Sequence, residues 1–174
     1  QQGKVSIDPD REARYYSAIW EEAAAAGFEQ YEISNYAKPG HACVHNLNTW
    51  RMAEWIGLGP SAASQFGGSR HANVPDLKAW LAGLERGERG AVDRVPLGES
   101  LLAEDALIFG LRLNEGVDLA ALERRFHQPL RRNPVFARLV EEGKARRIGD
   151  IICLTEDGRM VADAVGEELL GIFA

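Results

Sequence analysis

Apolar positions along the first half of the chain change period several times, and each change marks an element. Tyr16, Ile19, Trp20 and Ala23 repeat at i, i+3, i+4 and i+7, so a helix with one buried face is predicted there. Asp8-Pro9 opens it, because Asp caps a helix well and Pro suits the first helical position. Gly27 ends it, and Phe28 to Ile33 then reads as a strand. Helix, short loop and strand are the αβ half of a βαβ unit. Gln65 to Asn73 is polar and glycine-bearing, and reads as a loop. Pro75 opens a second helix, striped by Leu77, Trp80, Leu81 and Leu84 and stopped near Gly87. Glu88 to Arg94 is charged and irregular, and reads as a hinge.

From Pro96 the pattern becomes regular. Ser100 begins a helix with Leu102, Ala106, Phe109 and Leu113 at helical spacing. Gly116-Val117-Asp118 turns into a second helix, capped by Asp118 and striped by Leu119, Leu122 and Phe126. Asn133-Pro134 caps a third, with Phe136, Leu139 and Val140 inside and Gly143 at its end. Ala145 to Leu154 gives two short strands around Gly149-Asp150, a hairpin turn. Thr155 starts a last helix carrying Val161, Val165, Leu169 and Leu170, with a short turn near Gly158. Three helices, a hairpin and a final helix make a winged-helix-like arrangement.

Composition narrows the class. A 174-residue chain with 45% hydrophobic and 26% charged residues is ordinary for a soluble globular protein, of one large or two small domains. No apolar run approaches the roughly 20 residues of a membrane span. Gln1 to Asp10 is polar and lacks an apolar core, so no signal peptide is expected. Two cysteines, Cys43 and Cys153, make no disulfide framework, and a reduced cytoplasmic setting is expected. A winged helix invites a DNA-binding reading, with Arg131, Arg132 and Arg138 on or before the third helix. Charge argues against nucleic acid. The chain carries a formal −6, and residues 96–174 hold 10 Lys+Arg against 14 Asp+Glu. Glu141, Glu142, Glu156 and Asp157 would meet phosphates with the wrong sign.

The stretch from Tyr31 to Ser64 holds the densest chemistry. Its loop opens at Lys38-Pro39-Gly40 and carries His41, Cys43, His45 and Asn46. His41, Cys43 and His45 alternate, so on extended backbone all three would share one face. Imidazole and thiolate bind zinc or haem iron. A structural zinc site wants four ligands, and no fourth lies nearby. A solvated loop with chance histidines is the other reading. Gly57, Gly59 and Pro60 allow a tight bend with backbone close to its neighbours. No lysine follows them as in a P-loop, which excludes a nucleotide-phosphate role.

The run YEISNYAKPGHACVHNLN, then Trp50 and Gly57-Leu58-Gly59-Pro60, resembles the HemW-like branch of the oxygen-independent coproporphyrinogen III oxidase-like radical SAM family. Leu154 to Arg159, L-T-x-x-G-R, also matches the family's tail domain, and Leu111 to Asp118 echoes it loosely. Four positions depart from the family pattern. Thr49 and Trp55 stand where it has tyrosines, Ser61 where it has glycine, and Ala63 where it has histidine.

The resemblance implies α/β plus α+β architecture: the last αβ unit or units of a partial (β/α) radical SAM barrel, then a winged-helix-like C-terminal domain. The expected parts are 1–66, the barrel remnant with the motif loop; 67–95, a linking helix and hinge; and 96–174, the tail domain that covers the barrel opening. It implies that Ser34, Asn35, Tyr36 and Ala37 line an S-adenosylmethionine cleft. It implies haem at His45, oriented by Asn46, with Cys43 as the rival ligand and Trp50 and Trp55 over the porphyrin faces.

A radical SAM site needs C-x-x-x-C-x-x-C, three thiolates on one loop. Two cysteines 110 positions apart do not supply it, so no 4Fe-4S cluster and no S-adenosylmethionine cleavage are expected of this chain alone. It reads as a C-terminal fragment or truncated homologue whose partners are a missing N-terminal barrel half, or itself through Phe28 to Ile33, together with haem or porphyrin. A haem chaperone is the first expectation. The alternatives are a fragment of an active oxygen-independent coproporphyrinogen III oxidase, which decarboxylates propionate side chains, and a cofactor-free winged-helix interaction module.

Overall fold

The computed structural model describes residues 8–88 and 90–173. The first seven residues of the expected 1–66 part, Arg89 within the expected hinge, and Ala174 lie outside the described residues.

Helix α1 (Pro9–Ala25) begins where expected, with the Asp8 carboxylate accepting from the Arg11 backbone N–H at 3.2 Å. Gly27 leaves it with φ 77°, a backbone region open to glycine. The expected buried face is not buried: Tyr16 is 49% and Ile19 51% exposed, and Trp20 is only partly covered. Periodicity identifies the apolar face of a helix but not whether anything lies on it.

Strands β1 (Glu29–Glu32) and β2 (Asn35–Ala37) form an antiparallel hairpin rather than a lone strand. The other edge of β1 meets the turn at 112–114. The Ile33 N–H donates to the Arg112 carbonyl at 3.1 Å, and the Asn114 N–H to the Tyr31 carbonyl at 3.2 Å. The open edges expected of Phe28 to Ile33 are partly filled: β2 pairs along one side of β1, and the turn at 112–114 bonds Tyr31 and Ile33 on the other.

Helix α2 (Val44–Trp50) follows a loop and leads to β3 (Ala63–Phe66) and β4 (Ser69–Asn73). The expected loop at 65–73 is in fact this hairpin. Its two-residue turn, Gly67-Gly68, has φ of 59° and 70°, the sense that matches strand twist. The expected boundary between residues 66 and 67 thus falls inside the turn of a hairpin. Helix α3 (Leu77–Glu85) is capped by Asp76, yet Leu77, Leu81 and Leu84 of its stripe are exposed. The expected hinge is instead β5 (Ala91–Pro96), which pairs with β4 to complete a three-stranded sheet.

The deeply buried apolar residues concentrate after residue 100. Helix α4 (Glu99–Gly110) leads through β6 (Val117–Asp118) into α5 (Leu119–Phe126), where Asp118 accepts from the Ala121 N–H at 2.9 Å. Asn133 caps α6 (Pro134–Glu141) in the same way. Strands β7 (Ala145–Ile148) and β8 (Ile151–Leu154) turn at Gly149, and β6 adds to β8, giving the order β6-β8-β7. Helices α7 (Glu156–Met160) and α8 (Ala162–Glu168) close the chain, with Thr155 capping α7. Leu107, Leu119, Phe136, Leu139, Ile152 and Leu169 form the main core. Among the described residues up to 100, Met52 alone joins a core cluster as a buried member.

Candidate functional site

Backbone geometry decides what the central stretch can offer. The loop from Lys38 runs to Cys43, whose carbonyl accepts the first helical bond of α2 from the Leu47 N–H at 3.0 Å. His45 therefore sits in the first turn of a helix, not on extended backbone. The extended backbone on which His41, Cys43 and His45 were expected to share one face stops at Cys43, so His41 and Cys43 precede the helix and His45 lies inside it. All three are nevertheless exposed. His45 makes no side-chain hydrogen bond among the described residues, so its imidazole is free to ligate. Its backbone carbonyl accepts from the Thr49 hydroxyl at 3.0 Å.

Asn46 does not orient His45. Its amide donates to the Tyr31 hydroxyl at 3.3 Å, tying α2 to β1. Trp50 does not stand free either. It meets Phe109 edge-on at 5.7 Å between ring centroids, and the Arg112 guanidinium lies 4.7 Å above it. The Trp55 indole donates to the Ala63 carbonyl at 3.1 Å, at the start of β3. Of the two indoles expected to cover a porphyrin, Trp50 thus already packs against Phe109 and Arg112. The close backbone approach expected at Gly57 is present: a Cβ there would lie 2.3 Å from the Ala63 carbonyl oxygen.

Ser34, Asn35, Tyr36 and Ala37 come together at the tip and return strand of the first hairpin. The tip is fastened from beneath by Glu32, which is fully buried. Its Oε1 accepts from the Ser34 N–H at 2.9 Å and from the Asn35 amide at 2.5 Å. Ser34, Asn35 and Tyr36 face α1 across a groove of about 670 Å³ that Tyr15, Ile19 and Phe28 also line. Ala37 lies beside this groove on β2, partly covered. Burial pushes the Tyr36 phenol above its ordinary value, and Arg159 pulls the other way.

Ser34 also borders a second cavity, of about 310 Å³, between α1 and the α7–α8 corner. Arg112 and Arg159 line it, and neither was singled out from the sequence as a site residue. The available signal for Arg159 was its place in L-T-x-x-G-R. Among the described residues no group of three or more His, Cys, Asp or Glu is placed to hold a metal ion. Cys43 is exposed and Cys153 is buried in β8, so the two thiols serve no common cluster. No helix of the described residues is long and apolar enough to cross a membrane.

Comparison with known proteins places this arrangement. Residues 102–161 match the HemN C-terminal domain. The heme chaperone HemW of Mycobacterium tuberculosis is 34% identical over 164 residues, 94% of this chain and 40% of that protein. HemW of Synechocystis is 39% identical over 70% of this chain and 30% of its own length. The mitochondrial radical S-adenosyl methionine domain-containing protein 1 of Danio rerio is 33% identical over 67% of this chain and 28% of its own length. The chain thus spans well under half the length of these relatives. Coproporphyrinogen III oxidase (HemN) from Escherichia coli, a radical SAM enzyme, superposes with a TM-score of 0.74 over 95% of this chain and 42% of its own. At 14% identity that likeness concerns the mixed α/β fold alone. Residues 102–161 therefore form a HemN C-terminal domain, and the chain belongs with the HemW-like, coproporphyrinogen III oxidase-like radical SAM proteins.

Proposed function

We propose that this chain is the C-terminal part of a HemW-like haem chaperone of the cytoplasm, and that α2 presents His45 to haem iron. The observation that carries the reading is an exposed imidazole without a side-chain hydrogen bond, in the first turn of a helix held to β1 by Asn46 and Tyr31. An imidazole nitrogen is a familiar ligand of haem iron. Cys43, exposed at the helix N-cap, is the rival ligand. Haem would supply its own redox and ligand chemistry, and His45 would supply an imidazole nitrogen to its iron. With Trp50 held by Arg112 and Phe109, and with Thr49 in place of a tyrosine, little of this chain covers the porphyrin, so weak binding is expected.

The division into 1–66, 67–95 and 96–174 is part of the proposal, with the β3-β4-β5 sheet tying the first two parts together. In it 1–66 is the end of a partial barrel, 96–174 is a winged-helix-like lid, and Ser34 to Ala37 border an S-adenosylmethionine cleft completed by another barrel half. The exposed Tyr15, Tyr16 and Ile19 of α1 support a covering partner of that kind. A 4Fe-4S cluster does not fit this chain's own thiols, and any radical step would need thiolates from outside these residues. The sequence likeness to HemW favours the chaperone reading over an oxidase fragment. Nucleic acid is disfavoured, since Arg131 and Arg138 are engaged with Glu123 and with Glu168.

Haemin titration followed by the Soret band tests the reading. The parent chain is expected to saturate, His45→Ala to bind at least about tenfold more weakly, and Cys43→Ala to bind as the parent does. Equal binding by His45→Ala and the parent would refute the ligand assignment.

A further inference from the structure

The cavity between α1 and the α7–α8 corner has a chemistry of its own. At about 310 Å³ it stands at the lower end of small-molecule sites, roughly 300–1,000 Å³. Trp20, Ile33, Met160 and Val161 give it apolar walls. Its charged lining residues are Arg112, Arg159 and Asp163. Arg112 is partly neutralised, since its Nη1 donates to Asp163 at 3.1 Å. Arg159 is not. The one carboxylate within 4.0 Å of it among the described residues is Glu156, at that limit and on a side chain 78% exposed, where solvent screens the pair. The Arg159 side chain is itself only 16% exposed and lies 5.3 Å from the Trp20 ring.

The unmet hydrogen bonds on the residues that line this cavity are donors, whereas Glu32 Oε2, on the residue before Ile33, is a buried acceptor without a partner. Arg112 Nε, Arg159 Nε and Trp20 Nε1 are buried without a partner, and all three are donors. A buried donor without an acceptor costs stability, so native structures seldom keep several together without a reason. Burial holds the Arg159 guanidinium below its ordinary value, with Glu156 and Tyr36 pulling the other way and Arg146 adding to the lowering. Burial raises the Tyr36 phenol, which also acts on Arg159, so Tyr36 adds no negative charge there. Donors and positive charge in excess, against apolar walls, are the complement of an anion with a hydrocarbon body.

We propose that this cavity binds a small organic acid, its carboxylate accepting from Arg159 and its apolar body lying against Trp20 and Ile33. A guanidinium matches a carboxylate in a planar, two-point geometry. One weakly paired guanidinium balances one negative charge, which favours a monocarboxylate over a phosphate dianion. The site shares Arg112 with the contact that holds Trp50 and Ser34 with the proposed S-adenosylmethionine cleft, but it uses neither His45 nor Cys43, so its test and the haemin titration fail separately.

The test titrates the 15N-labelled chain with 4-phenylbutyrate and follows the Trp20 indole N–H resonance, assigned with Trp20→Phe. Saturable shifts are expected. The uncharged 4-phenylbutyramide is expected to bind at least about tenfold more weakly, and Arg159→Gln to lose a similar factor for the acid, while Arg159→Lys keeps part of it. Glu156→Gln is expected to bind as the parent does. Equal affinity for acid and amide overturns the proposal on the unmodified protein, whatever the variants do. So does a folded Arg159→Gln that binds as the parent does, the absence of saturable binding, or inorganic phosphate that binds more tightly than the acid in an Arg159-dependent way.

Discussion

The Arg70 guanidinium donates to the Asp105 carboxylate at 2.8 Å, joining β4 to α4 across 35 positions of sequence. The two side chains are 31% and 12% exposed, so the pair is largely withdrawn from solvent. Arg70 also donates to the Gln65 amide oxygen at 2.6 Å and lies 5.7 Å from the Phe109 ring. It is the polar anchor of the three-stranded sheet on the HemN C-terminal domain.

Removing one partner of this pair leaves the other charge partly buried. Asp105→Ala is expected to lower stability by about 1–3 kcal/mol, less than the cost for a fully buried pair. Replacing both residues by apolar ones, Arg70→Met with Asp105→Leu, should recover part of that loss. Urea unfolding of the three variants measures it. An unchanged midpoint in Asp105→Ala would show that the sheet does not depend on this contact.

Two aromatic or aliphatic truncations should differ sharply. Phe136 is essentially fully buried in the main core, and Phe136→Ala is expected to cost about 3–5 kcal/mol. Ile19 is half exposed on α1, and Ile19→Ser should change stability by no more than about 0.5 kcal/mol. Thermal unfolding of the chain compares them. A large loss in Ile19→Ser would mean that the exposed face of α1 is covered in solution.

Acid should weaken the tail domain through Glu123. Its carboxylate accepts from the Arg131 and Leu130 backbone N–H groups, each at 2.7 Å, and from the Arg131 guanidinium. These bonds, the Arg131 N–H first, hold its pKa at about 2 against an ordinary 4.5. A depressed folded pKa contributes stability that is fully present above the unfolded value and is lost as pH falls through the folded one. The denaturation midpoint should therefore decline between about pH 4.5 and about pH 2, and Glu123→Gln should flatten that decline. A parallel pH profile in parent and variant would place the acid sensitivity elsewhere.

Where the sequence predicted elements well, the causes are local. Asp118, Asn133-Pro134, Gly149-Asp150 and Thr155 each act on backbone within a few residues, so their caps and turn stand where the residue pattern puts them. The β3–β4 hairpin carried an equally local signal in Gly67-Gly68, but its strands are short and polar, and polarity outweighed the turn. The motif around His45 was legible as chemistry and as a family resemblance.

The sequence by itself determined the segments of the tail domain, the apolar face of each helix and the residue types available for ligation. Tertiary structure alone decided the rest. It made α2 a helix that separates His45 from His41, turned Asn46 toward Tyr31, drew Trp50 under Arg112, and brought Arg112 and Arg159 to one cavity from positions 47 apart. It also left the stripes of α1 and α3 exposed. Periodicity along a chain reports which side of an element avoids water, whereas partners, exposure and the meeting of distant charges depend on how elements pack across many residues of separation.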